Sequence, residues 1–340
     1  MADFSWPAVL NPLMAGKDID RATARRTMTA MMSGDASDAQ IAAFIVAIRS
    51  KGESVDEMTG LVDGMLEAAV TCALDVDAVD LVGTGGDNAG TFNISTTASF
   101  IAAGAGVKIA KHGNRAASSK TGSADLVAAL GIDLELPPDA TKHMIEEIGW
   151  GFFFAPRYHP SMRHVGPVRK QLGVRTVFNF LGPLSNPGRV KRAAVGVSDR
   201  TMAHKMIEVL RGLGLTHAFV VHGHDGLDEI STAAKTDVLR LVDGEITKAE
   251  FQPSDFGVRR ATLADLSGGD PAENLTITRA ILSGEQGPRT DVALVNACPA
   301  IVASGLAQGF GDAMTLAMSA IESGAAMGVV DAAVSFSRSA

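Results

Sequence analysis

The sequence predicts an α/β protein: a small N-terminal helical domain followed by a large α/β domain on a mostly parallel central sheet. Three observations carry this. Before residue 78 there are capped apolar helices and no alternating strand pattern. Beyond it, short apolar runs ending in Gly, Pro or Ser alternate with helical segments, as in a parallel sheet covered on both faces. The 340 residues, 46% of them hydrophobic, suffice for one large domain or two unequal ones.

The helical region is marked by Ser37 with Gln40 and Ser54 with Glu57, two capping boxes in which a side-chain oxygen and a Gln or Glu three residues on satisfy the first amides. Between them "IAAFIVAIRSKG" is an apolar helix ending at Gly52. The strand runs are "AVDLVGTGG", "VKIAKHG", "GFFFAP", "RAAVGVS" and "HAFVVHG". Helices are expected around 95–104, 123–130, 139–148, 199–213, 271–283, 289–304 and 311–327. "DVLRLVDGEITKAEF" reads as a hairpin turning at Asp243-Gly244. The expected division is 1–75 for the helical domain, completed by part of 160–188, and 76–340 for the α/β domain.

A net charge of -8 argues against a general nucleic-acid binder, whose footprint is a basic face. Cys72 and Cys298 are far apart, which disfavours a disulfide framework or structural zinc. The opening "MADFSWPAVLNPLMAGKD" lacks the basic start and apolar run of a signal peptide, and no apolar stretch reaches the ~20 residues of a membrane span. A cytoplasmic protein is expected, with no membrane partner.

Ligands of open parallel sheets bind beyond the strands' carboxyl ends, so the chemistry belongs in the loops there. "GTGGDNAGTFNIST" (83–96) lets backbone approach a ligand, and Asn93, Ser95 and Thr96 open a helix whose N-terminus favours an anion. The nucleotide motifs fail: Asn88 stands where the dinucleotide fingerprint needs Gly, and Ser119 precedes Lys120-Thr121 where a phosphate loop needs Gly. "KHGNRAASSKTGS" (111–123) adds Lys111 and Arg115 with the hydroxyls of Ser118, Ser119, Thr121 and Ser123. Either loop alone reads as a capped turn; two on neighbouring strands suggest a ligand with phosphates at both ends.

In "HGHDGLDEIS" (222–231), Asp228 and Glu229 offer hard oxygen ligands suited to magnesium near phosphates, or else form a solvated turn. His222 and His224 lack a third soft ligand at zinc spacing. After His159-Pro160 a helix carrying Arg163, His164, Arg169 and Lys170 offers a face that could meet a carboxylate, or is simply a solvated basic face. "NFLGPLSNPG" reads as a hinge or cleft wall.

With these elements in this order, the chain closely resembles the anthranilate phosphoribosyltransferases of the tryptophan pathway. The matching pieces are "GTGGD", "NIST", "KHGNRAASSKTGSAD", "GPVRKQLGVRTVFNFLGPLSNP" and "GLDEIS", and the likeness covers nearly the whole chain. It implies a fold of the nucleoside phosphorylase/phosphoribosyltransferase type, a cleft at the domain junction and a homodimer. It also implies a reaction: 5-phosphoribosyl 1-diphosphate (PRPP) and anthranilate give N-(5-phosphoribosyl)anthranilate and pyrophosphate, with two magnesium ions.

Carried over by that resemblance, Gly83, Gly86, Asp87 and Thr91 line the PRPP site, and Asn93, Ile94, Ser95 and Thr96 cradle the diphosphate. Lys111, His112, Gly113, Asn114, Arg115, Ala116, Ala117, Ser118 and Ser119, with Ser123, take the remaining phosphate contacts. Ser95, Asp228 and Glu229 hold magnesium; Gly83, Asn114 and Arg169 meet anthranilate; His112, Tyr158 and His159 line its path. No dedicated acid or base is expected, since an aromatic amine is already neutral. Two rivals share the fold. A pyrimidine nucleoside phosphorylase is longer, with an extra C-terminal domain and a different glycine loop. A non-enzymatic nucleic-acid-binding relative would show a basic surface and lack the loop or carboxylate motifs.

Overall fold

The computed structural model describes residues 4–116 and 120–340. Four helices come first: α1 (Trp6–Met14), α2 (Arg21–Ser33), α3 (Asp38–Lys51) and α4 (Val55–Glu67). Both capping boxes form, Ser37 with Gln40 on α3 and Ser54 with Glu57 on α4.

The strands are β1 (Val79–Gly83), β2 (Ile109–Gly113), β3 (Trp150–Phe154), β4 (Arg192–Gly196), β5 (His217–Gly223), β6 (Thr236–Val242) and β7 (Glu245–Phe251). The described residues form one seven-stranded sheet in the order β3-β2-β1-β4-β5-β6-β7. The first five run parallel; β6 and β7 add an antiparallel hairpin with positive φ at Asp243 and Gly244, the conformation of a tight two-residue turn. Between and after the strands lie α5 (Ile94–Gly104), α6 (Ser123–Leu130), α7 (Pro138–Ile148), α8 (Ala155–Tyr158), α9 (Gly166–Leu172), α10 (Phe178–Leu181), α11 (Arg200–Gly212), α12 (Pro271–Leu282), α13 (Pro288–Ser304), α14 (Phe310–Glu322) and α15 (Ala325–Ser339).

Strand alternation assigns the two faces. Ala194, Phe219 and Val221 join a core with α5, α6 and α12–α15, whereas Ala193, Val195, Ala218 and Val220 join a second core with α1–α4 and α11. The helical bundle is thus packed onto one sheet face, and α9 packs on α3. No single helix among the described residues is both long and apolar enough to cross a membrane.

Two expectations are corrected. The 311–327 helix is two helices, broken at Gly324, and the second continues to Ser339. The helix expected after His159 is a 3-10 turn, Pro160–His164, followed by the separate α9. Pro167 has no amide to carry a helical ladder through the junction. Arg163 and Arg169 therefore do not share one helix face.

Candidate active site

Where a parallel sheet reverses its winding, the loops beyond the strand ends diverge and leave a crevice. That point lies between β1 and β4: the chain winds outward from β1 through β2 to β3, then returns to β4 on the other side of β1. Gly83 and Gly196 end these strands side by side. Asp228 closes over both. A Cβ at Gly83 would lie 2.3 Å from Asp228 Oδ2, and one at Gly196 would lie 1.6 Å from the Asp228 carbonyl oxygen. The same Oδ2 accepts the Gly85 amide hydrogen at 2.6 Å.

The neighbouring Glu229 accepts the Ser95 amide at 3.1 Å, so the start of α5 faces a carboxylate. Ile94 and Thr96 bury their side chains in this first turn, and the Ile94 amide donates to the Phe92 carbonyl at 2.7 Å. Asn93 makes no cap hydrogen bond. Its Nδ2 donates to the Thr121 carbonyl at 3.1 Å, and its Oδ1 accepts from Asn274 at 2.9 Å. The two loops are therefore tied to each other and to α12. Residues 267–270, which the sequence did not single out, close the same region: Thr91 bridges Ser267, Gly268 donates to the Gly90 carbonyl, and Thr121 Oγ1 donates to Gly269.

Burial and the nearby Asp87 push the Asp228 carboxyl up to about 6. Burial and Asp228 raise Glu229 well above its ordinary value. Lys111, 1% exposed, is the cation beneath them; burial lowers its ammonium to about 8. Its Nζ donates to the Leu81 carbonyl and reaches Ser95 Oγ at 3.4 Å. Three clustered carboxylates against one buried lysine leave unrelieved repulsion, and the donors are hard oxygens. That set fits magnesium.

Beyond Lys111, Gly113 lies against Ser123 and Phe152, where a Cβ would be 2.3 Å from the Ser123 hydroxyl. The Asn114 carbonyl accepts from Ser123 and Ala124. Arg115 pairs with Asp125 at 2.9 Å, and Asp125 also accepts the Ala116 amide. Ala117, Ser118 and Ser119 lie outside the described residues.

The 155–188 segment forms the opposite wall. The His112 and His159 rings stand 5.2 Å apart, each bonded to a carbonyl of the 182–185 turn. Burial first, then His159, drops His112 to about 3, so it is neutral at physiological pH. Tyr158 is packed against Phe153, and burial raises its hydroxyl to about 12. The Arg169 guanidinium stacks 5.2 Å from the Phe178 ring centroid and makes no side-chain hydrogen bond or ion pair among the described residues. Such a half-buried guanidinium suits a ligand carboxylate. Sequence reasoning missed Arg175, which donates to the carbonyls of Gly86 at 2.9 Å and Gly85 at 3.3 Å, and to Ser198 Oγ at 3.1 Å.

The histidines belong elsewhere. His222 Nδ1 bonds the Val197 carbonyl, and His224 lies beside Asp237 and Glu250. Those two carboxylates already face Arg200, Lys235 and Lys248.

The sequence model of the glycosyl transferase family, a/b domain, matches residues 75–327, and that of its helical bundle domain matches residues 7–69. An anthranilate phosphoribosyltransferase of Azorhizobium caulinodans is 47% identical over 95% of this chain and 94% of its own. The crystal structure of the Thermus thermophilus anthranilate phosphoribosyltransferase superposes with a TM-score of 0.92 at 40% identity, covering 97% of this chain and 99% of that one. That of Saccharomyces cerevisiae, in complex with PRPP and Mg, gives 0.91 at 27% identity, covering 98% of each chain.

Proposed function

The chain belongs to the anthranilate phosphoribosyltransferase family, and we propose from that premise how its own residues divide the work. It transfers the 5-phosphoribosyl group of PRPP to the amine of anthranilate, releasing pyrophosphate, the second step from chorismate to L-tryptophan. One observation carries the assignment of roles: Asp228 and Glu229 converge on the Gly85 amide and the α5 N-terminus at the sheet's switch point.

Asp228, Glu229 and Ser95 hold magnesium, two ions per site. When bound, magnesium neutralises the diphosphate and stabilises the charge that gathers on it as it leaves. The amides opening α5 and the 83–91 backbone orient the same end of PRPP. Asn114 and the run to Ser119, with Ser123, hold the other phosphate, while the Lys111 ammonium, beside Ser95, serves the diphosphate end. Arg169 takes the anthranilate carboxylate in bidentate fashion, and Gly83 and Asn114 complete that pocket. His112 and His159 wall its approach while neutral, so they neither repel nor trap the amine. No side chain need act as base, because the aromatic amine attacks uncharged; placing two substrates in line supplies the acceleration, up to ~7–11 kcal/mol in favourable cases. The enzyme works as a cytoplasmic homodimer. Met14 on α1 and Val46 on α3, 69% and 47% exposed, supply apolar surface on the bundle for a partner.

The test is loss of anthranilate fluorescence on incubation with PRPP and magnesium. Loss requiring both additions is expected; none would overturn the reading.

A further inference from the structure

The parallel ladder between β1 and β2 stops after Val79 and Ile109, although β1 keeps five residues in register with β4 and β2 keeps five with β3. An interruption inside a sheet strands buried amides and carbonyls, which must then find other partners. Here three side chains take the missing places. The Asp80 carboxylate accepts the His112 amide at 3.0 Å, Asn186 Nδ2 donates to the Ala110 carbonyl at 2.8 Å, and Lys111 Nζ donates to the Leu81 carbonyl.

Asp80 is 1% exposed and its second oxygen has no hydrogen-bond partner. Burial pushes its carboxyl up to about 6. An uncharged acceptor such as Asn would hold one amide without that penalty. What a carboxylate adds is negative charge one residue from Leu81, whose carbonyl accepts the buried Lys111 ammonium.

We propose that Asp80 is a positioning residue for PRPP: it fixes the opened edge of β2 where the phosphate-binding run begins, and its charge keeps the Lys111 ammonium seated beneath Ser95. This rests on the site reading above. As β1 is fixed on its other side by β4, the carboxylate is anchored and the loop takes its bearing from it.

A double-mutant cycle of Asp80→Asn and Lys111→Met tests this, read as the PRPP dissociation constant by calorimetry with magnesium and as the anthranilate KM. Asp80→Asn keeps an acceptor for the His112 amide and removes the charge. It is expected to weaken PRPP about tenfold while the anthranilate KM changes less than about twofold. In the Lys111→Met background the same substitution is expected to change PRPP affinity less than about twofold, because its effect runs through Lys111. Unchanged PRPP affinity in folded D80N, or an equal loss in both backgrounds, would overturn the proposal. If D80N does not fold, Asp80→Ser enters the same cycle under the same two criteria. Wild-type protein that binds PRPP without consuming anthranilate fails the transferase reading but still reports on Asp80; failure to bind PRPP overturns both.

Discussion

Gly83 exists where it does because Asp228 leaves it no room: a Cβ there would stand 2.3 Å from the Asp228 carboxylate oxygen. Asp228 cannot retreat, since its own backbone carbonyl is wedged against Gly196. Gly83→Ala is therefore expected to displace the carboxylate that we assign to magnesium. Activity should fall by about 100-fold or more, with the melting temperature lowered by a few degrees. Kinetics and a thermal melt of the variant decide it; near-normal turnover would mean that the carboxylate position is not critical.

Arg175 holds the glycine loop by two carbonyls and Ser198, from a segment that follows Arg169 on the far wall. Its side chain is exposed, so Arg175→Ala should leave the melting temperature almost unchanged while kcat/KM for PRPP drops about tenfold or more. Arg175→Lys should not restore it, because one ammonium cannot span three acceptors in the guanidinium's fork geometry. Restoration by Lys would reduce Arg175 to a surface charge.

The Arg169 guanidinium stacks on the Phe178 ring and has no side-chain hydrogen bond or ion pair among the described residues. A charge-assisted contact to a carboxylate is worth about 1.5–3 kcal/mol, so Arg169→Ala should raise the anthranilate KM about tenfold or more and spare kcat. Lost turnover at unchanged KM would remove Arg169 from the anthranilate site.

The raised carboxyls predict a pH-dependent weakness of the metal-free fold. Asp228 titrates near 6 when folded against an ordinary 3.8, so the folded state binds its proton more tightly between those values. The stability it contributes is complete below about pH 4 and lost as pH rises through 6. Asp228→Asn escapes this loss. Without magnesium its melting temperature should gain on wild type as pH rises from 4 to 7, by the equivalent of roughly 1–3 kcal/mol. Saturating magnesium should shrink the difference. A gain that is flat across pH would place the strain elsewhere.

What the sequence made legible were residue types whose chemistry is local. Lys111, Asp228, Glu229 and the glycine loop stand out because few structural roles need those residues after apolar strands. Tethers between distant segments left no such mark. Asn93 looked like a helix cap, yet its side chain bonds Thr121 and Asn274, which is 181 residues away. Asp80 lies unmarked within the run "AVDLVGTGG", and only the interrupted ladder gives it a role. Arg175 sat in a run of Gly and Val with no periodicity. The fold followed the strand and helix pattern well until α15, whose small residues on every side give weak contrast, and until Pro167 split the basic helix.

If Asp228 and Glu229 bring magnesium to PRPP, activity must depend on both carboxylates and on the ion. The direct measurement is anthranilate consumption across a magnesium titration for wild type and for Asp228→Asn/Glu229→Gln, each checked for an intact melt. Wild type should saturate with magnesium, while the double variant stays folded and loses activity by about 100-fold or more at every concentration. A folded double variant with wild-type magnesium dependence would move the metal site elsewhere.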